Sequence, residues 1–265
     1  MLIQRQSLLL SIIIPAHNEE GNLESLLNEI TAVVVPEIGD EMEVVLVSDH
    51  SSDHTLIKAR QLTQVYPFLR VIDNDQKKGM GNALKSGIRN AQGEYVAFVM
   101  GDSTCPLDAL LCMLRRTKEE KLDMIIFSRY LRSEHSQNLP MKYRLSSRLF
   151  KLAARALIGI TLSDPTDAYR IIRRDFFDRF KIRRGDFSFC VEISIKAWNA
   201  GLRIGEYAGR QRLRKVGKSS FAFRRMAAPY LSVIIQHVSD RLRTRLFSLI
   251  GLPRRDPEAA KHRNA

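Results

Sequence analysis

The chain has 265 residues, 45% hydrophobic and 27% charged, an ordinary balance for a soluble globular protein of one large domain or one domain with an appendage. Forty-two Lys and Arg against 29 Asp and Glu leave a net charge of +13, which asks for an anionic partner: nucleic acid, a phosphorylated substrate or an acidic membrane surface. Cys105, Cys112 and Cys190 form no CxxC pair and leave an odd count, which excludes a disulfide framework and a zinc knuckle and suits reduced thiols in the cytosol.

The first element is an unalternated apolar run, Leu9 to Ile14, as expected of a parallel strand buried on both faces. The run from Leu8 is too short for a signal peptide, and nowhere do about 18 apolar residues follow one another, so no transmembrane helix is expected. The strand stops at Pro15-Ala16-His17-Asn18-Glu19-Glu20, which delivers polar groups to the carboxyl edge of a sheet, where open α/β folds bind ligands. A Gly-x-Gly-x-x-Gly turn is missing there, so a dinucleotide pyrophosphate is not what this edge reads. Helix is expected from Glu19 to Val34 and strand from Val44 to Val47. A second helix runs from about Asp53 to Val65, with Ser52 or Asp53 as N-cap. Strand Leu69–Ile72, helix Gly81–Ala91, strand Tyr95–Met100, helix Leu107–Glu119 and strand Met124–Phe127 follow. This β-α-β-α order predicts a parallel sheet with right-handed crossovers.

Beyond it come a basic helix from Met141 to about Ile160 and an irregular stretch from Ser163 to Arg170. Helix Val191–Asn199 and strand Arg203–Tyr207 complete this part. Past about Ser220 the composition shifts: Phe223, Met226, Ala227, Tyr230, Leu231, Ile234 and Val238 lie at helical spacing, with a kink at Pro229. Leu242, Leu246, Leu249 and Ile250 continue the pattern, interleaved with Arg241, Arg243 and Arg245. Three regions result: a domain over 1–220, amphipathic helices over 221–252, and a polar tail over 253–265 expected to be disordered. The amphipathic region fits a helix lying in a membrane interface, and equally one packed on the core or on a second copy.

Glu19, Asp49 and Asp102 each follow a strand, so the topology gathers three carboxylates on one rim, as a hard divalent cation with substrate phosphates would require. His50 and His54 at i, i+4 straddle a turn without a third ligand, which disfavours a metal pair; His50 instead suits an unusual backbone conformation or a nucleotide contact.

In order along the chain, these segments resemble the motifs of family 2 glycosyltransferases. Pro15 to Glu20 resembles the opening Pro-x-(Tyr)-Asn-Glu-Glu. Val47-Ser48-Asp49-His50-Ser51-Ser52-Asp53 resembles Val-Asp-Asp-Gly-Ser-x-Asp, with Ser48 and His50 departing from it. Met100-Gly101-Asp102 resembles the metal-binding Asp-x-Asp, with Met100 in the first place, and a thioether is a poor ligand for a hard cation. Ser128-Arg129-Tyr130 resembles the Gly-Ser-Arg-Tyr of the dolichol-phosphate mannosyltransferase (polyprenyl-phosphate glycosyltransferase) group. So do Asp164 to Arg170 (Asp-x-Thr-Ser-Gly-Phe-Arg, with Asp167 and Ala168 departing), Phe187 to Glu192, and Arg214-Lys215-Val216-Gly217-Lys218-Ser219. The last string is not a Walker motif, because Arg212 stands where the first glycine belongs. Relatives carry Arg-x-x-x-Ser in the basic helix; here the slot before Ser147 holds Tyr143, so Lys142 or Arg144 would substitute.

The resemblance implies an α/β nucleotide-diphosphate-sugar (GT-A, Rossmann-like) fold with a mostly parallel central sheet and C-terminal amphipathic helices. It implies an inverting hexosyltransferase that moves a sugar from a GDP-mannose or UDP-sugar donor to a polyprenyl phosphate, aided by Mg²⁺ or Mn²⁺. Pro15, Ala16, Asn18, Glu19, Asp49, Gly81, Asp102 and Lys218 would contact the donor, and Asp102 the metal. Arg129, Arg144, Ser147 and Arg170 would hold the acceptor phosphate, with Asp102, Arg129 and Arg214 as the catalytic set. A phosphate monoester, with a second pKa near ~6, is already anionic at neutral pH and needs cations more than a base. The expected setting is the cytoplasmic face of an anionic membrane, peripherally bound, with oligomeric state open to a homo-oligomer. A different acceptor and a catalytically degenerate binding subunit, suggested by Ser48, Met100 and Asp167, are the alternatives. Nucleic acid is not an expected partner, since charge alone supports it and no interleaved aromatic module is found.

Overall fold

Apolar runs bounded by turn residues alternate with amphipathic segments, and the computed structural model shows how they assemble. It describes residues 8–136, 141–214, 228–239 and 242, the side chains of Ser136, Lys142, Tyr143 and Ser146 excepted. In chain order the elements are β1 (Leu10–Ala16), α1 (Leu23–Val33), α2 (Val35–Ile38), β2 (Met42–Ser48), α3 (Thr55–Leu62), β3 (Leu69–Asp73), α4 (Met80–Asn90) and β4 (Tyr95–Phe98). Then follow α5 (Leu107–Glu119), β5 (Met124–Ser128), α6 (Met141–Ile158), β6 (Arg170–Arg173), α7 (Asp175–Arg179), α8 (Ser188–Asn199) and β7 (Ile204–Ala208). A last helix, α9, spans residues 228–239.

The seven strands form one sheet in the order β3-β2-β1-β4-β6-β5-β7. All neighbours run parallel except β6, which is antiparallel to both β4 and β5. The expected mostly parallel sheet is thus found, and its antiparallel exception, β6, lies at the end of the stretch read as irregular. Every residue of β1 and β2 is buried. Ile12 and Ile14 face a layer with Leu23, Leu26 and Ile30 of α1 and Leu110 and Met113 of α5. Ile13, Val45 and Val47 face the opposite layer, with Leu84 of α4 and Phe189 of α8. Helices on both faces explain the unalternated sequence of the central strands. Each such Ile or Leu contributes roughly 1.5–3 kcal/mol over its exposed state.

Element ends differ from expectation for local reasons. Helix α1 starts at Leu23 because Asn18 takes φ +57 and the Glu19 amide donates to Thr55 Oγ1 at 2.8 Å instead of entering a helix. His54 is the N-cap residue of α3, while Asp53 accepts from the Thr55 amide at 3.0 Å. Gly159, at φ +74, ends α6 one residue after Ile158, as a left-handed C′ residue does. Pro229 sits in the first turn of α9, where a missing N–H is harmless, and puts no kink inside the described helix. Val233 and Ile234 anchor α9 in the second core layer. Residues 221–227, most of 240–252 and the tail 253–265 lie outside the described residues. None of the described helices is long and apolar enough to cross a membrane.

Candidate active site

The carboxyl ends of β1 and β2 carry two loops laced together by side chains. Asn18 accepts from the Ser52 amide at 2.8 Å and its own amide donates to Ser51 Oγ at 3.2 Å. Pro15 and Ala16 are buried within the sheet; the Ala16 carbonyl accepts from the Asp49 amide at 2.7 Å. Asp49 is nearly buried, and its carboxylate accepts from Asn74 Nδ2 at 2.8 Å and from the Gly79 amide at 2.9 Å. It thus ties the end of β2 to the end of β3 and the start of α4. His50 adopts φ +53, the unusual conformation expected for it.

His17 adds a feature the motifs do not reveal. Its Nδ1 lies 2.8 Å from the Asp49 carbonyl and its Nε2 3.0 Å from Lys78 Nζ. A carbonyl only accepts, so Nδ1 carries the proton and Nε2 accepts from the ammonium. The Lys77-Lys78-Gly79 run ahead of α4 was the available signal for this cation.

The next strand end supplies the centre of the site. A Cβ on Gly101 would lie 3.3 Å from the Pro15 carbonyl oxygen and 3.4 Å from Glu19 Cγ, so this loop rests directly on the one after β1. Asp102 Oδ1 accepts from Thr104 Oγ1 at 2.7 Å, while Oδ2 lies 3.5 Å from Arg214 Nη1. The other guanidinium nitrogen of Arg214 donates to Glu19 Oε1, and Glu19 Oε2 accepts from Asn22 Nδ2 at 2.7 Å. Burial pushes the Glu19 carboxyl above its usual range, against the pull of Asn22 and Arg214. The strap after β7 delivers Arg214: the Arg212 amide donates to the Thr104 carbonyl at 3.0 Å, and its guanidinium pairs with Glu29 and with Asp108. Gln211 of the same strap donates to Asp167 Oδ2 at 3.2 Å, which links this centre to the next.

At the end of β5, Arg129 Nε lies 2.9 Å from Asp164 Oδ2 and 3.0 Å from Asp167 Oδ2, both carboxylates buried. These acids raise the guanidinium pKa further, and burial pushes the Asp167 carboxyl up to about 6. The Arg129 guanidinium lies 5.4 Å from the Tyr130 ring centroid and Lys151 Nζ 5.1 Å from it. Ser147 of α6 hydrogen-bonds Tyr130, and Arg144 lies half-buried on the same helix.

Two expected site residues are corrected. Arg170 is fully buried, and its guanidinium donates to the Asp167 carbonyl, the Cys190 carbonyl at 3.1 Å and Ser194 Oγ at 3.0 Å. It braces the chain around β6 and α8 and leaves no surface for a lipid phosphate. Gly81 is buried where a Cβ would come within 2.7 Å of the Asp186 carbonyl oxygen and 2.8 Å of Phe189 Cβ. Close packing of α4 on the start of α8 explains that glycine better than a donor contact. Lys218 lies outside the described residues.

Among the described residues no group of three or more His, Cys, Asp or Glu is placed to hold a metal ion. Met100 packs against the core layer. The oxygens of Asp102 and Glu19 still fit a hard cation of the kind that takes one or two carboxylates and completes its shell with water and phosphate.

The sequence pattern described as "Glycosyl transferase family 2" matches residues 11–180. A dolichol-phosphate mannosyltransferase of Pyrococcus furiosus is 30% identical over 188 residues, 70% of this chain and 52% of that protein, so the chain spans about half of that relative's length. A dodecaprenyl-phosphate galacturonate synthase of Rhizobium johnstonii is 26% identical over 255 residues, 93% of this chain and 72% of that protein. The fold is similar to that of glucosyl-3-phosphoglycerate synthase from Mycobacterium tuberculosis in complex with Mn²⁺, UDP-glucose and phosphoglyceric acid. That similarity has a TM-score of 0.63 and 20% identity, covering 93% of this chain and 81% of the other. With the pattern spanning well over half its length, the chain belongs to glycosyl transferase family 2.

Proposed function

We propose that the protein transfers a sugar, mannose or another hexose, from a nucleotide-diphosphate donor to a polyprenyl phosphate in a single inverting displacement. The observation that carries this reading is the junction of Glu19, Asp102 and Arg214, joined through Gln211 to the Arg129–Asp164–Asp167 cluster. The names of the Pyrococcus and Rhizobium relatives support a lipid-phosphate acceptor.

In this reading Asn18 and Asp49 bind the nucleoside end of the donor, with Pro15 and Ala16 holding their loops. Glu19 and Asp102 face the diphosphate, and Asp102 is the principal protein ligand for Mg²⁺ or Mn²⁺. A cation bound there neutralises charge on the departing diphosphate. Arg214, already oriented by two carboxylates, donates to the same phosphates, and Lys218 is the other cation assigned to the donor. Arg129, Arg144 and Ser147 receive the acceptor phosphate. An anionic oxygen is its own nucleophile, so positioning and charge neutralisation suffice without a general base. A lipid acceptor places the work at a cytoplasmic membrane face, with the protein peripherally bound and the C-terminal amphipathic region lying along it.

The test is incubation with labelled GDP-mannose and UDP-sugars, a short-chain polyprenyl phosphate and Mg²⁺ or Mn²⁺. A lipid-extractable product is expected, and Asp102→Asn is expected to lower its rate about 100-fold or more with the thermal unfolding midpoint retained. Full activity in Asp102→Asn refutes the metal and leaving-group assignment. Absence of product with every donor refutes the transfer reading and favours a binding subunit.

A further inference from the structure

Asp167 is a buried acid at the place where the motif Asp-x-Thr-Ser-Gly-Phe-Arg has Ser, and its two oxygens serve different neighbours. Oδ2 lies 3.0 Å from Arg129 Nε and accepts from Gln211 Nε2 at 3.2 Å. Oδ1 accepts from the Tyr169 amide at 2.8 Å, and the Tyr169 hydroxyl donates to the Pro106 carbonyl at 2.6 Å. Both arms end beside Asp102. Pro106 closes the loop that carries Asp102 and is the N-cap residue of α5. Gln211 belongs to the strap after β7, whose next residue, Arg212, donates its amide to the Thr104 carbonyl at 3.0 Å. Residues 209–214 have neither helix nor strand, and Leu213 is 89% exposed, so beyond Gly209 polar contacts hold the strap. Such a segment has low local stability and depends on each contact it makes.

We propose that Asp167 is a positioning residue: through Gln211 it holds the strap that sets Arg214, and so couples the acceptor and donor ends of the site. Asp164 already pairs with the same nitrogen of Arg129 at 2.9 Å, so the second acid adds what the first lacks, a bond to the strap. A serine, with one oxygen on a shorter side chain, could not serve Arg129, Gln211 and the Tyr169 amide at once. Burial pushes the Asp167 carboxyl up to about 6, which costs stability once it ionises, so stability does not explain the acid. An anion held by Arg129 fixes the guanidinium and with it Oδ2, the acceptor of the Gln211 bond. A diphosphate held by Arg214 fixes the far end of the same strap. Each ligand thus favours the docked strap that the other needs, and by linkage the two gains in affinity are equal. The assignment of the two ends to donor and acceptor rests on the transfer reading.

The first test needs no ligand: hydrogen exchange of the full chain by mass spectrometry, read over residues 209–214. Uptake there should be about fivefold faster in Gln211→Leu and Asp167→Ser than in wild type, with β1 and β2 unchanged. Gln211→Leu lies on the strap itself and spares the buried cluster, so it decides the matter should Asp167→Ser fail to fold. Wild-type uptake in Gln211→Leu overturns the proposal. The second test is titration with UDP or GDP and Mn²⁺, with and without a short, water-soluble prenyl phosphate. The prenyl phosphate should tighten nucleotide binding about fivefold in wild type and less than about twofold in either variant. A purely structural role would move the uptake and leave that factor alone. Tightening of wild-type size in Gln211→Leu, or none in wild type that binds both ligands, overturns the coupling. Faster uptake in the variants of a chain that binds neither nucleotide nor prenyl phosphate upholds the hold of Asp167 on the strap and sinks the transfer reading instead.

Discussion

Arg170 separates what the family motif suggests from what the fold imposes. Its side chain has no exposure and faces four acceptors: the carbonyls of Pro165, Asp167 and Cys190 and the hydroxyl of Ser194. A lysine keeps the charge but gathers three donors at one point, so at least one or two of those acceptors lose their partner. Each buried unsatisfied group costs about 1–3 kcal/mol, which places Arg170→Lys about 2–4 kcal/mol below wild type. For a chain of this size about 2–4 °C accompanies each kcal/mol, so the unfolding midpoint should fall by about 5–15 °C. Arg170→Met removes every donor of the guanidinium, although the Pro165 and Cys190 carbonyls keep the Ser194 hydroxyl, and should lower the midpoint further than Arg170→Lys. Circular dichroism melts give the midpoint, and acceptor titrations below it give KM. The expected result for Arg170→Lys is a lowered midpoint with an unchanged acceptor KM. A wild-type midpoint with a raised acceptor KM would refute the argument, because it would mean that the guanidinium faces the lipid phosphate.

Arg214→Met leaves the buried Glu19 carboxylate and Asp102 without their shared cation; kcat should fall about 10²–10³-fold, with partial rescue by Arg214→Lys. The folded-state pKa of Glu19 is already raised, so its ionisation costs stability as pH climbs past the unfolded value of 4.5. Melts should therefore show Arg214→Met increasingly destabilised as pH rises above 4.5. Asp167, unfolded value 3.8 and folded value about 6, follows the same sign: its share of stability is intact below the lower value and lost as pH rises to the upper one. Asp167→Asn should remove that fall, gaining on wild type between those limits in melts across pH; an equal gain at both ends would refute it.

Six of the seven strands were legible because a buried parallel strand is a run of β-branched and aliphatic residues closed by turn formers, as Ile12 to Ile14 and Val44 to Val47 are. The seventh was not. Arg170-Ile171-Ile172-Arg173 is four residues long, and nothing local encodes that it runs antiparallel. Ile171 and Ile172 enter opposite core layers, and the residue before them, Arg170, is carried inward. An arginine in a motif looks the same whether it meets a phosphate or a ring of carbonyls; only the path of the backbone decides. The rim carboxylates Glu19, Asp49 and Asp102 were legible because strand ends converge in a parallel sheet whatever the details. Asn74, Lys78, Gln211 and Arg212 were not, because each is a loop residue whose partner lies dozens of residues away.

Charge at the acceptor end then follows from these placements. Arg129 stands between two buried carboxylates, so above the Asp167 pKa the trio carries a net negative charge and cannot by itself attract a dianionic phosphate. Attraction has to come from cations without such company, and α6 with its basic run and no acid is where the chain concentrates them. In the proposed reading Arg129, its direction locked by Asp164 and Asp167, orients the acceptor phosphate, while Lys151 and Arg144 supply the pull. This division explains why an additional acid can be tolerated at position 167. It fixes the direction of the Arg129 guanidinium, and α6 carries the positive charge.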